Sequence, residues 1–188
     1  MVEKLLFLIK RARPYIQPTI TFLTARVRNP DEDNWKKLQR VLSYLGATIN
    51  LVKLHLNAND LNVVHWWVDV SYGTHTDLKG QKGATISIGK GCVKSELKKQ
   101  KNNATNLTIS ELVGVHEASP QVLRTKAFLQ NQGYEVNKST MYQDNMIAML
   151  LKRNGRASSS SRTKHIRNRY FYSGLDIKER RQVGIMPY

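Results

Sequence analysis

Apolar residues recur along this chain at two different periods, and the change between them marks its organisation. After Pro30 the acids Asp31, Glu32 and Asp33 precede Trp35, Leu38, Val41, Leu42 and Leu45, which are spaced as on one face of a helix. Negative charge in a first turn suits the unpaired amides there, and Gly46 is placed to close the helix. Between Pro18 and Pro30, the stretch from Ile16 to Val27 predicts a second, shorter helix. This N-terminal region offers an apolar face with few partners of its own, so it is expected to be the end of something larger.

From Asn50 the period shortens. Leu51, Lys53, His55 and Asn57 alternate with Val52, Leu54 and Leu56, a strand pattern, and residues 57–62 read as a turn. The run Val63-Val64-His65-Trp66-Trp67-Val68-Asp69-Val70 is β-branched or aromatic almost throughout and predicts a strand buried on both faces. Ala84 to Gly89 and Cys92 to Leu97 flank Lys90-Gly91 and predict a hairpin, so three antiparallel strands follow one another. A long helix is expected from Thr108, carrying Leu112, Val115, Val122, Leu123, Ala127 and Leu129 inward, interrupted near Pro120 and stopped at Gly133. Ser139 to Gln143 reads as a strand, Asp144 to Leu151 as a short helix, 152–162 as a loop, Arg162 to Tyr172 as helical and Gln182 to Met186 as a last strand. The order implies an α/β domain, a mixed sheet with helices packed on it.

Charge and cysteine content narrow the classes. Thirty Lys and Arg stand against fourteen Asp and Glu, a formal charge of +16 in 188 residues, which favours a polyanionic partner and above all nucleic acid. The single cysteine, Cys92, excludes an intrachain disulfide and a cysteine-based zinc cluster. The apolar stretch from Leu5 to Ile9 is too short for a signal sequence, and no run approaches the ~20 residues of a membrane span, so an intracellular chain without a membrane is expected.

Three carboxylates stand out, each with a plain structural reading beside the functional one. Asp69 lies inside a strand, where aspartate is depleted and needs a partner or a cation, though a local hydrogen bond would satisfy it. Glu111 fits a capping box begun by Thr108, and Asp144 fits a helix N-cap. Together they would converge if the first and fourth strands of the sheet are neighbours, and clustered oxygens suit Mg²⁺ and phosphodiester hydrolysis.

These residues lie in motifs that resemble the C-terminal part of copia-type retrotransposon polyproteins, the end of the reverse transcriptase plus its RNase H. The resembling segments are Arg11-Ala-Arg-Pro14, Pro30 to Leu38, Val68-Asp-Val-Ser-Tyr72, Lys99-Gln-Lys101, Ser110-Glu-Leu-Val113, Tyr142-Gln-Asp-Asn145 and Arg162-Thr-Lys-His-Ile166. The resemblance implies residues 1–60 as a helical remnant of the polymerase region and 61–188 as an RNase H-like domain, a mixed five-stranded sheet flanked by helices and truncated at its C-terminus. It implies hydrolysis of the RNA strand of RNA–DNA hybrids, with Asp69, Glu111 and Asp144 as catalytic and metal-binding carboxylates for Mg²⁺, or Mn²⁺ in its place. Lys99, Lys101, Asn145, Arg162, Lys164 and His165 are implied as nucleic-acid contacts, and the missing polymerase portion of the polyprotein as a partner.

Three departures bear on activity. A fourth acidic residue is expected on a helix after the last strand, but the sequence stops at Met186-Pro-Tyr188. Arg167 stands where the late basic motif usually has aspartate, and Ile109 replaces the first of two glutamates around the helix position. Loss of a carboxylate ligand weakens a metal site, so impaired cleavage is expected, with a non-catalytic nucleic-acid-binding remnant as the alternative.

Overall fold

The computed structural model describes residues 1–58, 62–74, 78–101, 104–154 and 183–186. The chain divides into two units, Met1–Leu56 and Asn57–Tyr188.

The first unit holds helices α1 (Val2–Arg11), α2 (Gln17–Thr24) and α3 (Glu32–Ala47). Helix α1 was not expected: Val2, Leu5, Leu6 and Ile9 fall at helical spacing, and judging the stretch by its length alone hides that period. Leu5, Ile9, Ile16, Ile20, Leu23, Leu38 and Val41 pack together, so the apolar face that looked unpartnered has a small core of its own. Asp31 caps α3 by accepting from the Asn34 amide at 2.7 Å. Helix α3 continues through Gly46 to end at Ala47, and Trp35 is exposed rather than part of the inner stripe. The buried Arg13 donates to the Tyr15 hydroxyl and to the carbonyls of Thr48 and Ile49, tying the turn after α1 to the chain that follows α3.

In the second unit, the strand expected over residues 50–57 shrinks to the two residues of β1 (Asn57–Ala58), which pair with the equally short β4 (Gly89–Lys90). The main sheet contains β2 (Val63–Ser71), β3 (Gln81–Ser87), β5 (Lys94–Lys99), β6 (Lys138–Tyr142) and β7 (Val183–Met186), in the order β5-β3-β2-β6-β7. The β2, β3 and β5 ladders are antiparallel, whereas β6 lies parallel to β2 and β7 parallel to β6. Among the described residues the main sheet is therefore mixed and five-stranded, and the first and fourth of its strands are neighbours, as convergence of the carboxylates requires.

Strand β2 is buried on one face, not on both. Val64, Trp66, Val68 and Val70 are buried, while His65, Trp67, Asp69 and Ser71 alternate with them on a more open face. Val64, Trp66 and Val68 pack with Ile86, Met141 and Val136 against Val115, Ala118 and Val122 of α4 (Leu107–Asn131). Burying a side chain such as Trp66 or Val68 contributes about 1.5–3 kcal/mol. Helix α4 runs its 25 residues through Pro120 without the expected break, because burial of both of its halves outweighs the one backbone bond a proline removes. It ends before Gly133, whose φ of +87° continues the chain away from the helix. Gly114 lets α4 approach β2: a Cβ there would lie 2.4 Å from Val70 Cγ2.

Helix α5 (Met146–Asn154) completes the described part of the domain. The helix expected over 162–172 lies outside the described residues. Among the described residues, no helix is long and apolar enough to cross a membrane.

Candidate metal centre

Three elements bring the acids together. Asp69 projects from β2, Glu111 sits one turn into α4, and Asp144 follows the end of β6, the parallel neighbour of β2. One carboxylate oxygen from each lies within 4.8 Å of the others. Asp69 and Asp144 are exposed, whereas Glu111 is buried at 2% exposure, so the site is an open-mouthed cluster with one acid at its floor.

The local structural roles foreseen for two of these acids belong to other residues. Asn106, not Thr108, caps α4 by accepting from the Ile109 amide at 2.9 Å, which frees Glu111 from a capping box. Asn145, not Asp144, accepts from the Ala148 amide at 3.0 Å at the start of α5. Asn145, a foreseen nucleic-acid contact, thus has a structural partner at its side-chain oxygen. Asp69 does make the local hydrogen bond considered for it, accepting from the Val70 amide at 2.8 Å, and this leaves its other oxygen available to the cluster.

Gln143 is the residue that sequence reasoning passed over. It is fully buried, and its Nε2 donates to Glu111 Oε2 at 2.6 Å and to Asp144 Oδ1 at 3.2 Å, tying helix to strand end across the site. A neutral amide holds both acids without cancelling their charge. The signal in the sequence was an amide directly before an acid at the end of a predicted strand, a pattern too common to single out.

Burial pushes the Glu111 carboxyl up from 4.5 to about 7; the Gln143 amide pulls it down, and the neighbouring charges of Asp144 and Asp69 push it up again. Among these influences the opposing ones are an amide and the Val70 backbone, not a lysine or arginine. An all-oxygen set of three acids with this shortage of positive charge fits a hard divalent cation.

A second buried tie fixes the start of α4. Gln100 Nε2 donates to the Ser110 carbonyl at 2.9 Å, and Ser110 Oγ donates to Gln100 Oε1 at 2.7 Å, directly before Glu111. Gly80 makes room for it, since a Cβ there would sit 2.5 Å from the Ser71 carbonyl and 2.6 Å from Gln100 Oε1. The turn therefore faces Gln100 inward and leaves Lys99 and Lys101 exposed on either side. Arg162, Lys164 and His165 lie outside the described residues. A groove of about 740 Å³ in the first unit, lined by Tyr15, Phe22, Lys37, Arg40 and Tyr44 among others, carries no comparable acidic cluster among its lining residues.

No family model matches the chain. Among solved structures, an RNase H1 isolated from compost by a metagenomic approach is similar over 68% of this chain and 84% of its own, at 8% identity and a TM-score of 0.49. The same RNase H1 in complex with an RNA/DNA hybrid is similar over 66% of this chain and 84% of its own, at 8% identity and a TM-score of 0.43. The protease-reverse transcriptase of prototype foamy virus is similar over the whole of this chain at 15% identity and a TM-score of 0.42, and the match spans 24% of that protein.

Proposed function

We propose that residues 57–188 form the RNase H-like nuclease domain of a copia-type reverse-transcribing polyprotein, which cuts the RNA strand of RNA–DNA hybrids, and that the helical unit before it derives from the end of the polymerase region. The observation that carries this reading is the convergence of Asp69, Glu111 and Asp144 within 4.8 Å on a mixed sheet whose first and fourth strands are parallel neighbours. The acids come from strand β2, from the first turns of α4 and from the residue after β6, so three separate elements supply one spot.

Asp69, Glu111 and Asp144 would hold Mg²⁺, or Mn²⁺ in its place. When bound, the cation supplies positive charge at the phosphate oxygens and lowers the pKa of a coordinated water. Gln143 keeps Glu111 and Asp144 pointed at a common spot, so their oxygens need little reorganisation on loading. Lys99 and Lys101, exposed at the end of the edge strand β5, are placed to meet backbone phosphates.

Cleavage of a labelled RNA–DNA hybrid with Mg²⁺ or Mn²⁺ tests the assignment. Asp69→Asn is expected to lower the rate by at least about a hundredfold while hybrid binding stays near that of the natural chain. Undiminished cleavage by Asp69→Asn would overturn it. A second reading, a binding remnant without cleavage, is favoured by the buried position of Glu111: burial and the charges of Asp144 and Asp69 raise its carboxyl, so a cation must displace a proton to bind there. It predicts salt-sensitive hybrid binding that weakens in Lys99→Ala/Lys101→Ala, with no cleavage by any form.

A further inference from the structure

The open face of β2 carries more than Asp69. His65, Trp67, Asp69 and Ser71 share it, and Tyr142 joins it from β6, directly opposite Trp67 in the register. Tyr142 lies nearly parallel to both other rings: Trp67 and Tyr142 are 5.2 Å apart at 17° and His65 and Tyr142 are 5.8 Å apart at 19°, while His65 and Trp67 are 6.0 Å apart and tilted by 33°. His65 Nδ1 lies 3.1 Å from the Tyr142 hydroxyl, which fixes the orientation of both rings. Trp67 keeps 36% of its surface exposed in this setting, while Trp66 next to it is buried on the other face.

Cross-strand aromatic pairs stabilise a sheet, and a single exposed ring needs no explanation. Three clustered rings whose exposed member stands two residues from a carboxylate of the proposed metal centre do need one. Along a strand that separation is about 7 Å, on the scale of one nucleotide step. Lys99 pairs with Gln81, which pairs with Ser71, so directly opposed residues place Lys99 on this same face two strands away. The face thus offers rings, an acidic centre and a cation in one plane.

We infer that His65, Trp67 and Tyr142 form a stacking platform for unpaired nucleobases, one that holds a single-stranded segment of nucleic acid beside the carboxylate centre. A hybrid duplex stacks its bases inside the helix and has no ring faces to offer along its length, whereas a single strand presents one at every residue. The net charge of +16 supplies sequence-independent attraction for the phosphates of such a strand, and the rings add a contact that salt does not screen. The inference deepens the nuclease reading and rests on it for the role of the neighbouring acids, but the platform is tested separately.

The test uses the full chain with Ca²⁺ in place of Mg²⁺ and an oligodeoxynucleotide containing one 2-aminopurine, whose fluorescence is quenched on stacking. The natural chain is expected to quench the probe. Trp67→Ala is expected to bind it about fivefold to a hundredfold more weakly without quenching, and Trp67→Phe to keep most of both. Tyr142→Leu, which leaves Trp67 in place but removes the ring that aligns it, is expected to weaken binding as well and guards against a folding defect peculiar to one variant. Equal quenching by the natural chain, Trp67→Ala and Tyr142→Leu would overturn the platform, as would absence of quenching in the natural chain. A blunt hybrid cleaved with Mg²⁺ separates the two ideas: cleavage without quenching removes the platform and keeps the nuclease, whereas Trp67-dependent quenching without cleavage keeps the platform and removes the nuclease.

Discussion

Replacing Glu111 by glutamine should make the metal-free protein more stable at alkaline pH and leave it nearly unchanged in mild acid. Glu111 is buried beside two acids, and its carboxyl is raised from 4.5 to about 7. The folded state therefore holds this proton over a pH range in which the unfolded chain has released it. Stability that Glu111 confers is complete below 4.5 and is lost as pH rises through about 7. The full difference between the two pKa values corresponds to roughly 3 kcal/mol, and screening at the open mouth formed by Asp69 and Asp144 reduces it to about 2 kcal/mol. Glutamine keeps the shape, and one face of its amide can still accept from Gln143, but it carries no proton to lose. Thermal melts of the natural chain and Glu111→Gln in EDTA, at about pH 5 and about pH 8, should show their difference widening by roughly 5–10 °C toward the higher pH. The two proteins differ only at Glu111, so the comparison between them isolates that group. A divalent cation should narrow the gap by binding the ionised acid of the natural chain. A pH-independent gap, or one that widens toward acid, would refute the account of Glu111 as the strained acid of the cluster.

Gln143→Leu should weaken cation binding by about tenfold to a hundredfold, read by calorimetric titration with Mn²⁺, because the acids lose the donor that orients them. Gly114→Ala should destabilise the domain by about 1–3 kcal/mol in denaturant titration, since the added methyl meets Val70 Cγ2 and forces α4 away from β2. Asn106→Ala should cost about 1 kcal/mol by the same measurement, through loss of the cap on the Ile109 amide at the start of the helix that carries Glu111.

Much of the domain was legible in the linear pattern. The β-branched and aromatic run around Trp66, the hairpin through Gly91, the long helix with Leu112, Val115 and Val122 inward and the strand before Asp144 all appear where their periods place them, because these elements are set by local side-chain spacing against one core. Local spacing also misled. Residues 52–56 alternate as a strand would, yet form none, since alternation becomes a strand only where a neighbouring edge accepts its hydrogen bonds. Pro120 reads as a helix break but does not act as one, because the packing on both sides is a tertiary quantity.

For the site, the sequence by itself determined which acids were available, and motif resemblance singled out Asp69, Glu111 and Asp144 from fourteen Asp and Glu residues. Only the tertiary structure decided that their oxygens meet, since that depends on β6 lying parallel beside β2 and on α4 starting at the same end of the sheet. It also decided that Asn106 and Asn145 do the capping, that Gln143 bridges two of the acids, and that Trp66 is buried in the core while Trp67 is exposed beside Tyr142. The physical reason is the same in each case: hydrogen bonds, ring stacking and charge repulsion act over a few ångströms between residues that are up to 77 positions apart in the chain, as His65 and Tyr142 are.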